Sequence, residues 1–63
     1  MKGKVKNVNE KGFGFIEAED GTEYFFHRSA LRNCSMEDLD RGREVTFEPG
    51  EGQKGPRAED VYV

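Results

Sequence analysis

The chain has 63 residues, with ten Lys and Arg against thirteen Asp and Glu, a formal net charge of −3, one cysteine and no tryptophan. That length predicts one domain, residues 1–63, near the lower size at which a core holds itself together unaided. The lone Cys34 excludes an intrachain disulfide and a cysteine-rich metal site. No apolar run approaches the length of a membrane span or a signal h-region, so the sequence reads as a mature cytoplasmic chain with no membrane partner. Asn33-Cys34-Ser35 fits the glycosylation sequon, which is inert without a secretory route.

Charge is segregated along the chain. Lys2, Lys4, Lys6 and Lys11 face only Glu10 in the first sixteen residues, whereas the stretch from Glu17 to Phe26 holds four acids and no base. Arg28 and Arg32 follow, and Ser35 to Glu51 carries six acids and two arginines. One basic face on an acidic body is the arrangement this pattern predicts.

Lys2 to Val8 alternates lysine with smaller residues, Lys2, Lys4 and Lys6 on one face and Gly3 and Val5 on the other, and reads as a half-buried strand. Asn9-Glu10 connects to a second strand, Gly12 to Ala18. Side chains alternate across a strand, so Phe13, Phe15 and Glu17 share one face, and Gly14, Ile16 and Ala18 share the other. The face bearing Glu17 belongs outside, and two phenylalanines go with it. Asp20-Gly21 signals a hairpin into a third strand, Glu23 to His27, with Phe25 and His27 outward and Tyr24 and Phe26 inward. Ser29-Ala30-Leu31 suits one helical turn. Ser35 to Asp38 resembles a capped helix start, with Asp38 reaching back to Ser35 and Gly42 ending it. A fourth strand runs from Glu44 to Glu48. A glycine-rich loop, Gly50 to Gly55, leads to a last strand ending in Val61-Tyr62-Val63. The pattern predicts an all-β, five-stranded antiparallel barrel, whose closure removes edges a small sheet cannot protect.

Phe13, Phe15, Phe25 and His27 then lie on one surface, while Val5, Ile16, Tyr24, Phe26, Val45 and Phe47 already supply a core. Exposed rings beside lysines suit the stacking of unpaired bases, and lysines on the first strand suit phosphates. Arg28, next to the rings, can stack or hold a phosphate. Gly50-Glu51-Gly52-Gln53-Lys54-Gly55 satisfies G-x-G-x-x-G, but Pro56 and a strand follow where a dinucleotide site needs a helix. It reads as a loop from which Lys54 and Arg57 add charge to a ligand groove. No catalytic constellation is present: Glu17/Glu19 and Asp38/Asp40 sit in acidic stretches, Cys34 has no evident base, and Ser29 near His27 has no orienting acid. Neither cofactor nor metal is expected.

Lys11 to Ile16 (KGFGFI) and Tyr24 to Leu31 (YFFHRSAL) together resemble the two ribonucleoprotein motifs of the bacterial cold-shock domain, and Gly55-Pro56-Arg57-Ala58 with Val61 resembles its closing strand. The resemblance runs from Gly3-Lys4-Val5-Lys6 to the last strand. It implies an OB-fold barrel that binds single-stranded RNA or single-stranded DNA with little sequence preference, as an RNA chaperone or antiterminator. It also implies that Lys6, Lys11, Phe13, Phe15, Phe25, His27 and Arg57 sit where members contact nucleic acid. A monomer is the expected state.

The aromatic pattern differs in three places. Asn7-Val8 stand where the family has Trp-Phe, Arg28 where an aromatic follows the histidine, and Met36 where a loop phenylalanine is common. The inward valines of the third strand become Tyr24 and Phe26, filling volume left by Val8. Binding weaker or differently biased than a typical member's is expected, with Asn7 and Arg28 offering polar contacts. An RNA-recognition motif shares the K-G-F-G-F strand, but Ala18 stands where its pattern needs an aromatic, and its helices are missing. The rival reading is a cold-shock-like barrel turned into a protein-interaction or regulatory module.

Overall fold

A computed structural model describes residues 1–52 and 55–63, where five strands, β1 (Lys2–Asn9), β2 (Phe13–Ala18), β3 (Glu23–His27), β4 (Glu44–Gly52) and β5 (Gly55–Tyr62), close into a barrel in the order β1-β2-β3-β5-β4. Two short 3-10 turns, Arg28–Ala30 and Met36–Asp38, lie in the crossing from β3 to β4. This is the OB-type barrel expected, with one correction. The sheet is mixed, because β3 and β5 run parallel, with Phe25 beside Arg57 and a parallel bridge from Leu31 to Val61. An odd number of strands cannot alternate direction around a closed ring, so one seam must be parallel.

Both early hairpins are held by side-chain turns of the kind Asn and Asp make. Asn9 Oδ1 accepts from the Lys11 N–H at 2.9 Å and Asp20 Oδ1 from the Thr22 N–H at 2.9 Å. The alternation read in β1 holds through Val5, where Lys2 and Lys4 are exposed and Gly3 and Val5 buried. It then breaks. Val5 pairs with Ile16 and Asn7 with Phe15, which leaves Lys6 as the extra residue of a bulge. A second bulge sets Asp60 and Val61 of β5 against Phe47 alone, and Asp60 takes a left-handed φ of 48°. Aspartate tolerates that region better than most residues, and Arg32 Nε holds its carboxylate at 2.6 Å.

The described residues of the glycine-rich segment, Gly50, Glu51, Gly52 and Gly55, are paired strand rather than loop, and Gln53 and Lys54 lie outside the described residues. The β4–β5 ladder continues through Gly50 opposite Arg57 and Glu51 opposite Pro56 to Gly52 opposite Gly55. Small residues on β4 make room for long ones on β5. A Cβ on Gly50 would lie 3.0 Å from the Glu59 carboxyl carbon, and one on Gly52 would lie 3.0 Å from Arg57 Cδ.

All six core residues read from the sequence are buried, joined by Ala18, Ala58 and Val61 and, from the crossing, by Ala30 and Leu39. Tyr24 packs on Phe47 with ring centroids 5.0 Å apart. Phe26 lies against Gly14, while Val8 is 37% exposed, so the added bulk of β3 fills space over Gly14 and beside Phe47 rather than any left by Val8.

Asp38 closes the second turn as expected: the Ser35 N–H donates to its Oδ2 at 2.9 Å. That bond, with the Ser35 hydroxyl, holds the carboxyl below its ordinary value. A depressed folded-state value stabilises above the unfolded pKa and is lost as pH falls through the folded one. Asp38→Asn should therefore flatten the acid limb of a melting-temperature profile taken between about pH 5 and pH 2. An unchanged limb would show that this cap is not coupled to folding.

Candidate nucleic-acid interface

Register and alternation together build the site. Phe13 pairs with His27 and Phe15 with Phe25 across β2–β3, all four half-buried on the outer face, while Gly14, Ile16, Tyr24 and Phe26 fill the inner one. Phe25 is braced on two sides, 5.8 Å from Phe13 at 33° and 5.9 Å from Phe15 at 73° between ring planes. Edge-on and tilted neighbours fix a ring without stacking over its face.

His27 Nδ1 accepts from the Ser29 backbone N–H at 3.2 Å and lies 3.0 Å from Ser29 Oγ. A backbone N–H only donates, so the neutral ring carries its proton on Nε2, which becomes a donor for a ligand. Arg28 follows at the end of the row. Its N–H donates to Gly12 O at 2.8 Å, and its stem covers Gly12, with Cδ 3.0 Å from where a Cβ would stand. Gly12 also has φ +95°, a conformation side chains rarely adopt. Gly12→Ala should cost about 1–2 kcal/mol in urea unfolding, from strain alone, and displace Arg28. A cost near zero would mean that the turn re-forms without that conformation.

Lys6, on the β1 bulge, forms an exposed ion pair with Glu23 at 3.0 Å. Asn7 is exposed opposite Phe15 on the neighbouring strand, and Lys11 is exposed in the turn before Phe13. Arg57, half-buried beside Phe25, points Nε toward Glu59 at 3.9 Å, beyond hydrogen-bond reach. Among the described residues, Nε has no hydrogen-bond partner. Phe15, Phe25, Glu51, Gly52, Gly55, Pro56 and Arg57 line a groove of about 740 Å³, within the range of small-molecule sites. Lys54 lies outside the described residues.

The sequence reading missed the contribution of Glu51, Gly52 and Pro56 to this groove. The signal for it was two glycines two residues apart, followed closely by an arginine that pairs with the first of them across the β4–β5 ladder. The dinucleotide pattern is rejected on geometry, since its described glycines, Gly50, Gly52 and Gly55, belong to the paired strands β4 and β5 and none opens a helix. Met36 turns to pack against the core, as does Cys34, whose thiol is pushed up by burial and by the nearby Asp38 carboxylate. Among the described residues, no three His, Cys, Asp or Glu side chains gather as a metal site, and no helix is long and apolar enough to cross a membrane.

A five-stranded closed barrel with an outer row of rings on β2 and β3 defines an OB-type nucleic-acid-binding class. The family described as the 'Cold-shock' DNA-binding domain matches residues 1–63, and the chain belongs to that family. It is 50% identical over 62 residues to the cold shock-like protein CspE of Bacillus anthracis, covering 97% of this chain and 92% of that one. It is 50% identical over 62 residues to the cold shock protein CspD of Bacillus subtilis, covering 97% and 94%. Against the cold shock-like protein CspLB of Listeria monocytogenes it is 53% identical over 60 residues, covering 94% and 91%. At the level of the family, this is a nucleic-acid-binding, non-enzymatic protein.

Proposed function

We propose that the chain binds single-stranded RNA and single-stranded DNA with little overall sequence preference, as a cytoplasmic monomer that keeps transcripts unpaired as an RNA chaperone or antiterminator. The observation that carries this reading is the row Phe13, Phe15, Phe25 and His27, held half-exposed on a barrel whose core is complete without it. Stacking needs no particular sequence, because every base has a π-face. Lys6, Lys11 and Arg57 supply phosphate contacts along the flanks of the row, and Asn7 adds a polar group beside Phe15. The net charge of −3 and the Lys6–Glu23 ion pair favour a second reading, a barrel with weakened binding that serves as a protein-interaction module.

Fluorescence anisotropy with oligo-dT and oligo-U at two salt concentrations separates the two. Binding that falls with salt supports the first reading, because phosphate contacts release counterions. No binding of either strand supports the second.

A further inference from the structure

We propose that Arg28 reads guanine, making one position of an otherwise tolerant single-strand site base-selective; this rests on the nucleic-acid reading above. Arg28 is placed by three features. Its N–H is bonded to Gly12 O at 2.8 Å, it directly follows His27, and His27 stands opposite Phe13. Its stem lies over Gly12, with Cδ, Cγ and Nε at 3.0, 3.4 and 3.5 Å from where a Cβ would project. A stem already laid down loses less freedom when its head engages a ligand.

The ion pairs among the described residues join Lys6, Arg32 and Arg57 to carboxylates, and none of them involves Arg28, which is exposed. Its head can therefore turn to a ligand without giving up a carboxylate partner among those residues. A guanidinium is all donor, and guanine offers two adjacent acceptors, O6 and N7, on one edge; among the other bases cytosine alone offers such a pair, N3 and O2, on a smaller ring with less face to stack. In an unpaired strand that edge is open. A base stacked on Phe13 or His27 brings its edge to the end of the row that Arg28 occupies.

The test is anisotropy with dT hexamers carrying one central dG, dA, dC or 7-deaza-dG, against the protein and its Arg28→Lys variant, at two salt concentrations. The expected result is about tenfold tighter binding of the dG strand than of all-dT. That preference should be lost with 7-deaza-dG, which lacks N7, and in Arg28→Lys, which keeps the charge but not the planar fork. Equal preference for dG, dA and 7-deaza-dG would overturn the proposal in favour of purine stacking, and equal preference for dG and dC would overturn it in favour of a grip on any acceptor pair. Uniform weakening of every strand in Arg28→Lys would overturn it in favour of a phosphate contact. Binding of all-dT without any dG preference defeats this inference alone, whereas no binding of any strand defeats the nucleic-acid reading and this inference with it.

Discussion

Alanine at position 14 should lower the melting temperature by about 8–24 °C. A Cβ there would overlap the backbone carbonyl oxygen of Asn7 and stand 2.9 Å from two ring carbons of Phe26. Neither neighbour can yield cheaply. Asn7 belongs to the paired strand β1, and Phe26 is fully buried. Overpacking of this kind costs about 1–3 kcal/mol, occasionally more, against a total stability on the order of 3–9 kcal/mol for a chain of this size. Adding Phe26→Leu should recover only part of the loss, since it relieves the ring and leaves the carbonyl. A Gly14→Ala protein that melts within a few degrees of the parent would show that β1 and β2 can separate locally without cost.

Phe15→Ala should weaken binding of oligo-dT and oligo-U by about 5- to 150-fold, the loss of one stacking platform at about 1–3 kcal/mol. The fold should survive, because Phe15 is half-exposed on the outer face and touches Phe25 edge-on rather than the core. The salt slope should not move, since the ring meets no phosphate. Lys11→Ala should do the reverse, weakening all strands alike and lowering the slope by about 0.7. If Phe15→Ala left affinity unchanged, the outer row would not be a base platform, and a protein partner would become the better reading of that face.

Most of the candidate site was legible because it depends on alternation. In Phe13–Ala18 and Glu23–His27, side-chain period alone separates Phe13, Phe15, Phe25 and His27 from Ile16, Tyr24 and Phe26. What stayed hidden depends on partners across strands. The bulge at Lys6 exists only in relation to Ile16 and Phe15, and nothing within β1 marks it. Gly50 and Gly52 looked like loop residues because composition outweighed their role of admitting Glu59 and Arg57. The parallel seam follows from counting strands around a ring, which no single segment reveals. Ala30 and Leu39 sit in the crossing, without periodicity, and join the core only because the barrel end needs covering.

The seam also bears on how the molecule breathes. Between β3 and β5 the ladder has one register pair, Phe25 with Arg57, whereas β1 and β4 share three. Local opening begins where pairing is thinnest, so amide exchange should be fastest along that joint. The same two side chains border the groove beside the ring row. A nucleic-acid strand lying there would act as a clasp over the joint, and occupancy and closure of the barrel would be thermodynamically linked.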